Sequence, residues 1–219
     1  CGIMEPFKKD GLTFGTHPVK ALDGSDRMKA LRLWMMIFSS YVLMVCVGCS
    51  HSGPDTYVRA DYDGSHVKKV AVLPFYNTSQ VSGAGKVVSS IFLAGLVKSG
   101  NYEVEFPGNV KDFLVKERII ARSGVDLDTI RRMGKRLDVD AVFLGQVEEY
   151  VGTPEERKGV VPMISINVRL VDARTGKILF MSHHEKTGDD YIKVLDFGKV
   201  RSVGELTKKV TEEMVAVMP

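Results

Sequence analysis

Cysteine runs out early in this chain: three occur, at positions 1, 46 and 49, and none follows. A disulfide scaffold and a zinc site built on thiolates are both excluded downstream of 49. Charge of one sign is equally scarce. Thirty Lys and Arg against 27 Asp and Glu leave a net charge of +3, with no basic arm or acidic tail. Nucleic acid is therefore disfavoured as the main partner. No Gly-x-Ser-x-Gly motif is present, and no serine–histidine–aspartate triad can be read from scattered residues. What is there is ordinary for a globular protein, with 44% hydrophobic, 26% charged and 8% aromatic residues. Wholesale disorder, collagen-like repeats and a polytopic membrane protein are disfavoured.

The one long apolar run follows Met28-Lys29-Ala30-Leu31-Arg32 and extends over 33–47, interrupted only by Ser39 and Ser40, before Gly48-Cys49-Ser50. Two cations, an apolar core and a small residue before a cysteine are the parts of a secretory signal. The core is shorter than the roughly 20 apolar residues that a spanning helix needs. Gly48-Cys49 resembles the lipobox of bacterial lipoproteins, in which the cysteine receives a diacylglycerol and becomes the new N-terminus. Cys46 stands where that motif has leucine. The resemblance implies cleavage between Gly48 and Cys49, lipid attachment at Cys49, and a protein anchored to a membrane rather than spanning it. An uncleaved signal anchor is the alternative. Ser50, by resemblance to enterobacterial sorting, points to the periplasmic side of the outer membrane, with the inner membrane as the alternative.

Residues 1–27 are neutral, where a signal's start should be positive, and Cys1 is not an initiator; the expectation is a non-native upstream extension with Met28 as the start. The expected organisation is therefore an extension at 1–27, a signal peptide at 28–48, a lipid-anchored tether at 49–66 and one α/β domain at 67–219. The tether, with Gly53-Pro54-Asp55 and Asp61-Tyr62-Asp63-Gly64, has little periodicity.

The domain opens on Val70-Ala71-Val72-Leu73-Pro74-Phe75, a strand apolar on both faces that belongs inside a covered sheet. Val87, Val88, Ile91, Leu93, Ala94 and Val97 recur at helical spacing until Gly100. Tyr102-Glu103-Val104-Glu105-Phe106 alternates as a half-buried strand ended by Pro107-Gly108. Strand, helix and strand predict a right-handed βαβ unit. A short helix is expected over 110–120, and a better one carries Leu127, Ile130, Met133 and Leu137 on one face. Acids at Asp126 and Asp128 precede Arg131, Arg132, Lys135 and Arg136, the charge order that a helix dipole favours.

Strands are expected over 140–151, around Ile164, Ile166, Val168 and Leu170, and over 178–181, joined by hairpins at 153–159 and 172–176. Ser202-Val203-Gly204-Glu205 is a capping-box pattern opening a helix whose stripe is Val203, Leu206, Val210, Met214 and Val217. The expected fold is α/β: a mixed sheet of about five strands with helices packed on it.

Three stretches together carry a resemblance. They are Val70-Ala71-Val72-Leu73-Pro74-Phe75-Tyr76-Asn77, Leu137-Asp138-Val139-Asp140-Ala141-Val142-Phe143-Leu144-Gly145-Gln146-Val147, and Val168-Arg169-Leu170-Val171-Asp172-Ala173-Arg174-Thr175-Gly176-Lys177. In order and spacing they resemble the periplasmic lipoprotein superfamily containing the curli secretion lipoprotein CsgG, the penicillin-binding-protein activator LpoB and the N-terminal domain of TolB. The resemblance spans roughly 67–218. It implies a compact α/β domain, no cofactor, no enzymatic activity, and work through contacts with other cell-envelope proteins, in cell-wall synthase activation or an export apparatus. A homo-oligomer is compatible with it. A membrane barrel needs crossings of about 9–11 residues with apolar residues alternating outward. The insertions at 153–159 and 185–200 are too charged to supply them. The chain thus resembles the soluble domain of such a protein; a subunit of a secretion pore is an alternative reading.

Four features invite sharper readings. Gly83-Ala84-Gly85-Lys86 lacks the first glycine and the Ser/Thr of a phosphate loop, so it reads as a helix start. His183-His184-Glu185 places two imidazoles on opposite faces of a strand, where they do not chelate one ion. The same region, 150–190, is where a periplasmic ligand-binding protein or hydrolase would have its site. Arg131, Arg132, Lys135 and Arg136 form the candidate interaction patch, suited to phosphate, anionic lipid or an acidic partner.

Overall fold

The computed structural model describes residues 29, 31–37, 53–62, 64–119, 125–152 and 159–219. The chain divides into two units, Cys1–His51 and Ser52–Pro219. In the first, 31–37 are helical and exposed. Gly48, Cys49 and most of the apolar run lie outside the described residues, as does most of the 153–159 hairpin. No helix among the described residues is long and apolar enough to cross a membrane.

In the second unit the apolar run forms β2 (Lys69–Val72), which leads through β3 (Tyr76–Asn77) to α1 (Ala84–Ser99) and back to β4 (Glu103–Val104). β2 and β4 are parallel, so the expected βαβ unit is present. Two helices follow, α2 (Pro107–Lys116) and α3 (Leu127–Leu137). The chain then forms a meander of β5 (Ala141–Val151), β6 (Met163–Asp172) and β7 (Ile178–Thr187). A 3-10 helix, Gly188–Tyr191, and α4 (Val203–Ala216) complete it.

The sheet is mixed, as expected, but holds seven strands rather than about five. With β1 at Asp55–Val58, its order is β1-β7-β6-β5-β2-β4, and β3 pairs β5 off that path. β2 lies parallel to β5, through Val70↔Ala141 and Val72↔Phe143, while β5, β6 and β7 run antiparallel. The two unexpected strands are short. β3 has two residues, and β1 (Asp55–Val58) comes from the segment read as tether and pairs antiparallel with β7. Its four residues are all exposed, so no burial period marked it.

Helices cover both faces. On one, α1 and α4 bury Val88, Phe92, Leu96, Leu206, Val210 and Met214 against Phe143, Ile166, Val168 and Phe180. Phe75, Phe92, Phe143 and Tyr102 stack at centroid spacings of 5.2, 5.5 and 5.8 Å, in tilted and edge-on pairs. On the other face, α2 and α3 bring Phe113, Ile130 and Met133 onto Ala71, Val142 and Val171. Gly85 lets α1 begin tight against the sheet, because a Cβ there would stand 2.3 Å from the Phe75 carbonyl oxygen.

Three expected faces are corrected. α1 buries Ala84, Val88, Phe92 and Leu96 and exposes Val87 and Val97. In the β4 region Phe106 is exposed and Glu105 is buried instead. α4 buries its stripe through Met214, but Val217 is the C-cap and exposed.

Candidate functional site

The basic helix α3 starts where its cap dictates. The Asp126 carboxylate accepts from the Thr129 amide at 2.8 Å and from the Thr129 hydroxyl at 3.0 Å. Those bonds, the amide's first, hold its pKa below the usual carboxylate value. Four cations at i, i+1, i+4 and i+5 fall on two adjacent stripes of the helix, and the structure gives the stripes different environments. Arg136 reaches Glu117 at 2.6 Å and lies over the Phe113 ring at 5.8 Å; Arg132 approaches Glu117 at 3.5 Å. This pair ties α3 to α2.

Arg131 and Lys135 face the other way. Together with His66 and Arg174 they line a groove of about 710 Å³ floored by Gly134, Val139 and Ala173. Arg131 has one long 3.5 Å contact, to Asp128 on its own helix. Two acids also line the groove, and both are engaged by backbone amides. Asp140 accepts from the amides of Lys68 and Lys69, each at 2.9 Å. Asp172 accepts from those of Arg174 and Thr175 at 2.9 and 2.6 Å. The groove therefore presents cations to solvent while its carboxylates brace the loops. A floor this close needs Gly134, since a Cβ there would sit 2.7 Å from that of Ala173.

His183 and His184 point to opposite faces of β7. His184 is 3% exposed, and its Nε2 lies 2.6 Å from Glu213 on α4. His183 Nδ1 is 3.9 Å from Glu148. The adjacent Lys186 is buried as well. His184 thus joins β7 to α4 inside the packed layer. Among the described residues no three His, Cys, Asp or Glu side chains are grouped to hold a metal. Lys86 lies in the first turn of α1.

The stretch after β7, charged in sequence, also carries apolar residues that the structure brings to its tip. A bond from the Thr187 amide to Asp190 at 2.6 Å opens the 3-10 helix. A tight hairpin follows, closed by Lys193 donating to the Phe197 carbonyl at 2.7 Å and Phe197 to that of Val194 at 2.8 Å. Leu195 and Asp196 at its apex have φ of 46° and 66°. Val194, Leu195 and Phe197 project into solvent, 65%, 94% and 81% exposed. The signal was Ile192, Val194, Leu195 and Phe197 among the charges.

An open mixed sheet between two helix pairs, with a cationic groove and an apolar hairpin on its surface, defines a three-layered α/β domain. The chain belongs to the family of the curli production assembly/transport component CsgG, whose model matches residues 65–217. The PelC dodecamer from Paraburkholderia phytofirmans is similar at 15% identity, covering 74% of this chain and 94% of that one with a TM-score of 0.52. The lipoprotein GNA1162 from Neisseria meningitidis matches at 21% identity, 68% and 99% coverage and TM-score 0.45. The LpoB C-terminal domain from Salmonella enterica matches at 11% identity, 57% and 86% coverage and TM-score 0.44. At such identity the likeness to PelC concerns the fold alone. No curated protein sequence matches the chain.

Proposed function

We propose that this protein is a lipid-anchored domain on the periplasmic side of the outer membrane that binds other envelope proteins and assists a cell-wall synthase or an export assembly. It works by contact and not by catalysis. Cys49 is the lipid attachment point, after cleavage at Gly48. The observation that carries the reading is the groove at α3. Its Arg131, Lys135 and Arg174 face solvent while Asp140 and Asp172 are bound by backbone amides, an arrangement suited to an acidic protein surface. Membership of the CsgG family and the Gly48-Cys49 signal support the compartment. Arg132 and Arg136 belong to the helix packing rather than to the contact.

Metabolic labelling with a lipid precursor tests the anchor: label is expected on the natural protein and absent from Cys49→Ser, and label that persists in the variant overturns it. Crosslinking in living cells tests the contact. An envelope protein captured by the natural chain and lost on Arg131→Glu with Lys135→Glu supports it; capture of background proteins alone counts against it. A homo-oligomer is the second reading, favoured by the dodecamer of PelC. The size of the detergent-extracted protein decides it.

A further inference from the structure

Most exposed apolar side chains of the domain, such as Val97, Phe106 and Val115, stand singly, which is normal for a protein surface. The hairpin after β7 is different. Three of its four tip residues are apolar and outward, and the backbone bonds that close the turn hold them there. Gly198 packs its base onto Tyr191, where a Cβ would meet the carbonyl oxygen at 2.3 Å. Such a tip is a fixed apolar projection rather than a loose loop.

Strand order places it. β5 starts beside the groove, because Asp140 lines the groove and Ala141 begins the strand; β6 ends there at Asp172. β7 runs antiparallel to β6 and therefore away from the groove. Ten residues at about 3.3 Å carry it roughly 30 Å before it passes into the hairpin. Groove and tip thus lie at opposite ends of the sheet. The chain enters the sheet from the tip side, because β1 runs antiparallel to β7 and its first residue, Asp55, pairs with His183 midway along β7. Cys49 lies six residues before Asp55, a stretch that spans at most about 20 Å.

We propose that the Val194–Phe197 tip is a second membrane contact, seated at the headgroup boundary of the bilayer that holds the lipid on Cys49, with the groove turned away from that bilayer. The proposal rests on the lipid-anchor reading. Its chemistry is that of an interfacial anchor: Leu195, Phe197 and Val194 enter, while Lys193 and Arg201 at the base meet lipid phosphates. Asp196 at the apex restricts the tip to the wet boundary and keeps it out of the hydrocarbon. An acyl chain plus a protein contact also sets orientation, which a flexible tether alone does not.

The test uses Phe197→Trp in a Trp34→Phe background, with Val97→Trp as the reference at the groove end. Each protein is placed on phosphatidylethanolamine–phosphatidylglycerol vesicles with brominated acyl chains, and the mass of the Cys49 peptide is read in parallel. Expected are a blue-shifted emission quenched by bromine for Phe197→Trp and unquenched emission for Val97→Trp. Acylated Cys49 with unquenched emission from Phe197→Trp overturns the tip contact and leaves the anchor standing. Quenching with Cys49 unacylated supports the tip and removes the anchor. A blue shift without bromine quenching assigns the tip to a protein surface and overturns the proposal.

Discussion

Glu105 sits where an alternating pattern predicted a solvent-facing position. It is 8% exposed; one carboxylate oxygen lies 2.7 Å from Lys69 Nζ, and the other accepts from Asn109 at 2.7 Å and the Phe106 amide at 3.0 Å. Lys69 also donates to the Leu137 carbonyl at 3.0 Å, so one ion pair links β2, β4 and α3. The Lys69 ammonium, then Asn109, lowers the Glu105 pKa from its ordinary 4.5; Glu105 raises that of Lys69 above 10.5. The lowered carboxylate contributes stability in full above pH 4.5 and loses it as pH falls through its folded value. The raised lysine contributes in full below pH 10.5 and loses it on going higher. Glu105→Gln is expected to cost about 1–3 kcal/mol in urea unfolding at pH 7 and to flatten the loss of stability below pH 4.5. Lys69 and Glu105 are far apart in sequence and meet only because β2 and β4 are parallel, so no local period could announce the pair. Gly134 is a second such residue. Gly134→Ala should lower the melting temperature, a destabilisation of about 1–2 kcal/mol, despite the roughly 1 kcal/mol that alanine gains in a helix, because Ala173 occupies the space.

Elements were legible to the degree that their ends and periods were local. Ser202 caps α4 by accepting from the Glu205 amide at 3.2 Å, as its sequence pattern predicts; Asp126, which the sequence marks only as an acid suited to the helix dipole, caps α3. Ser202→Ala is therefore expected to reduce stability by about 1 kcal/mol, measured by thermal unfolding, without altering the rest of the domain. α1 was located correctly but its buried face was not. Its apolar residues fall on nearly every side, so spacing cannot choose a face, and the facing Phe143 and Phe75 decide it. β6 showed its alternation plainly, yet Ser165 on its polar side is buried, with its hydroxyl donating to Glu148 at 3.1 Å. The basic patch was half legible: the sequence named four cations, and only helix packing separates Arg132 and Arg136 from the groove pair. Arg136→Ala should loosen α2 against α3 and lower stability by about 1 kcal/mol, whereas Lys135→Ala should leave the unfolding midpoint unchanged.

For the molecule as a whole, the α/β layer and its mixed sheet followed from the chain, but its polarity did not. That polarity depends on which strand ends gather at which edge, and on β1, whose pairing has no sequence signature. A partner held at the groove by charge, as proposed, should bind less well in salt: crosslinked partner yield is expected to fall several-fold as ionic strength rises past physiological levels, and a yield that ignores salt would assign the contact to apolar surface. β1 has a mechanical consequence too. It lies antiparallel to β7 at the edge of the sheet, held by the four rungs from Asp55↔His183 to Val58↔Phe180. A pull on the chain upstream of Asp55, directed along the β1 axis, would load those rungs in shear, together rather than one by one, so the edge strand would yield by sliding and not by peeling.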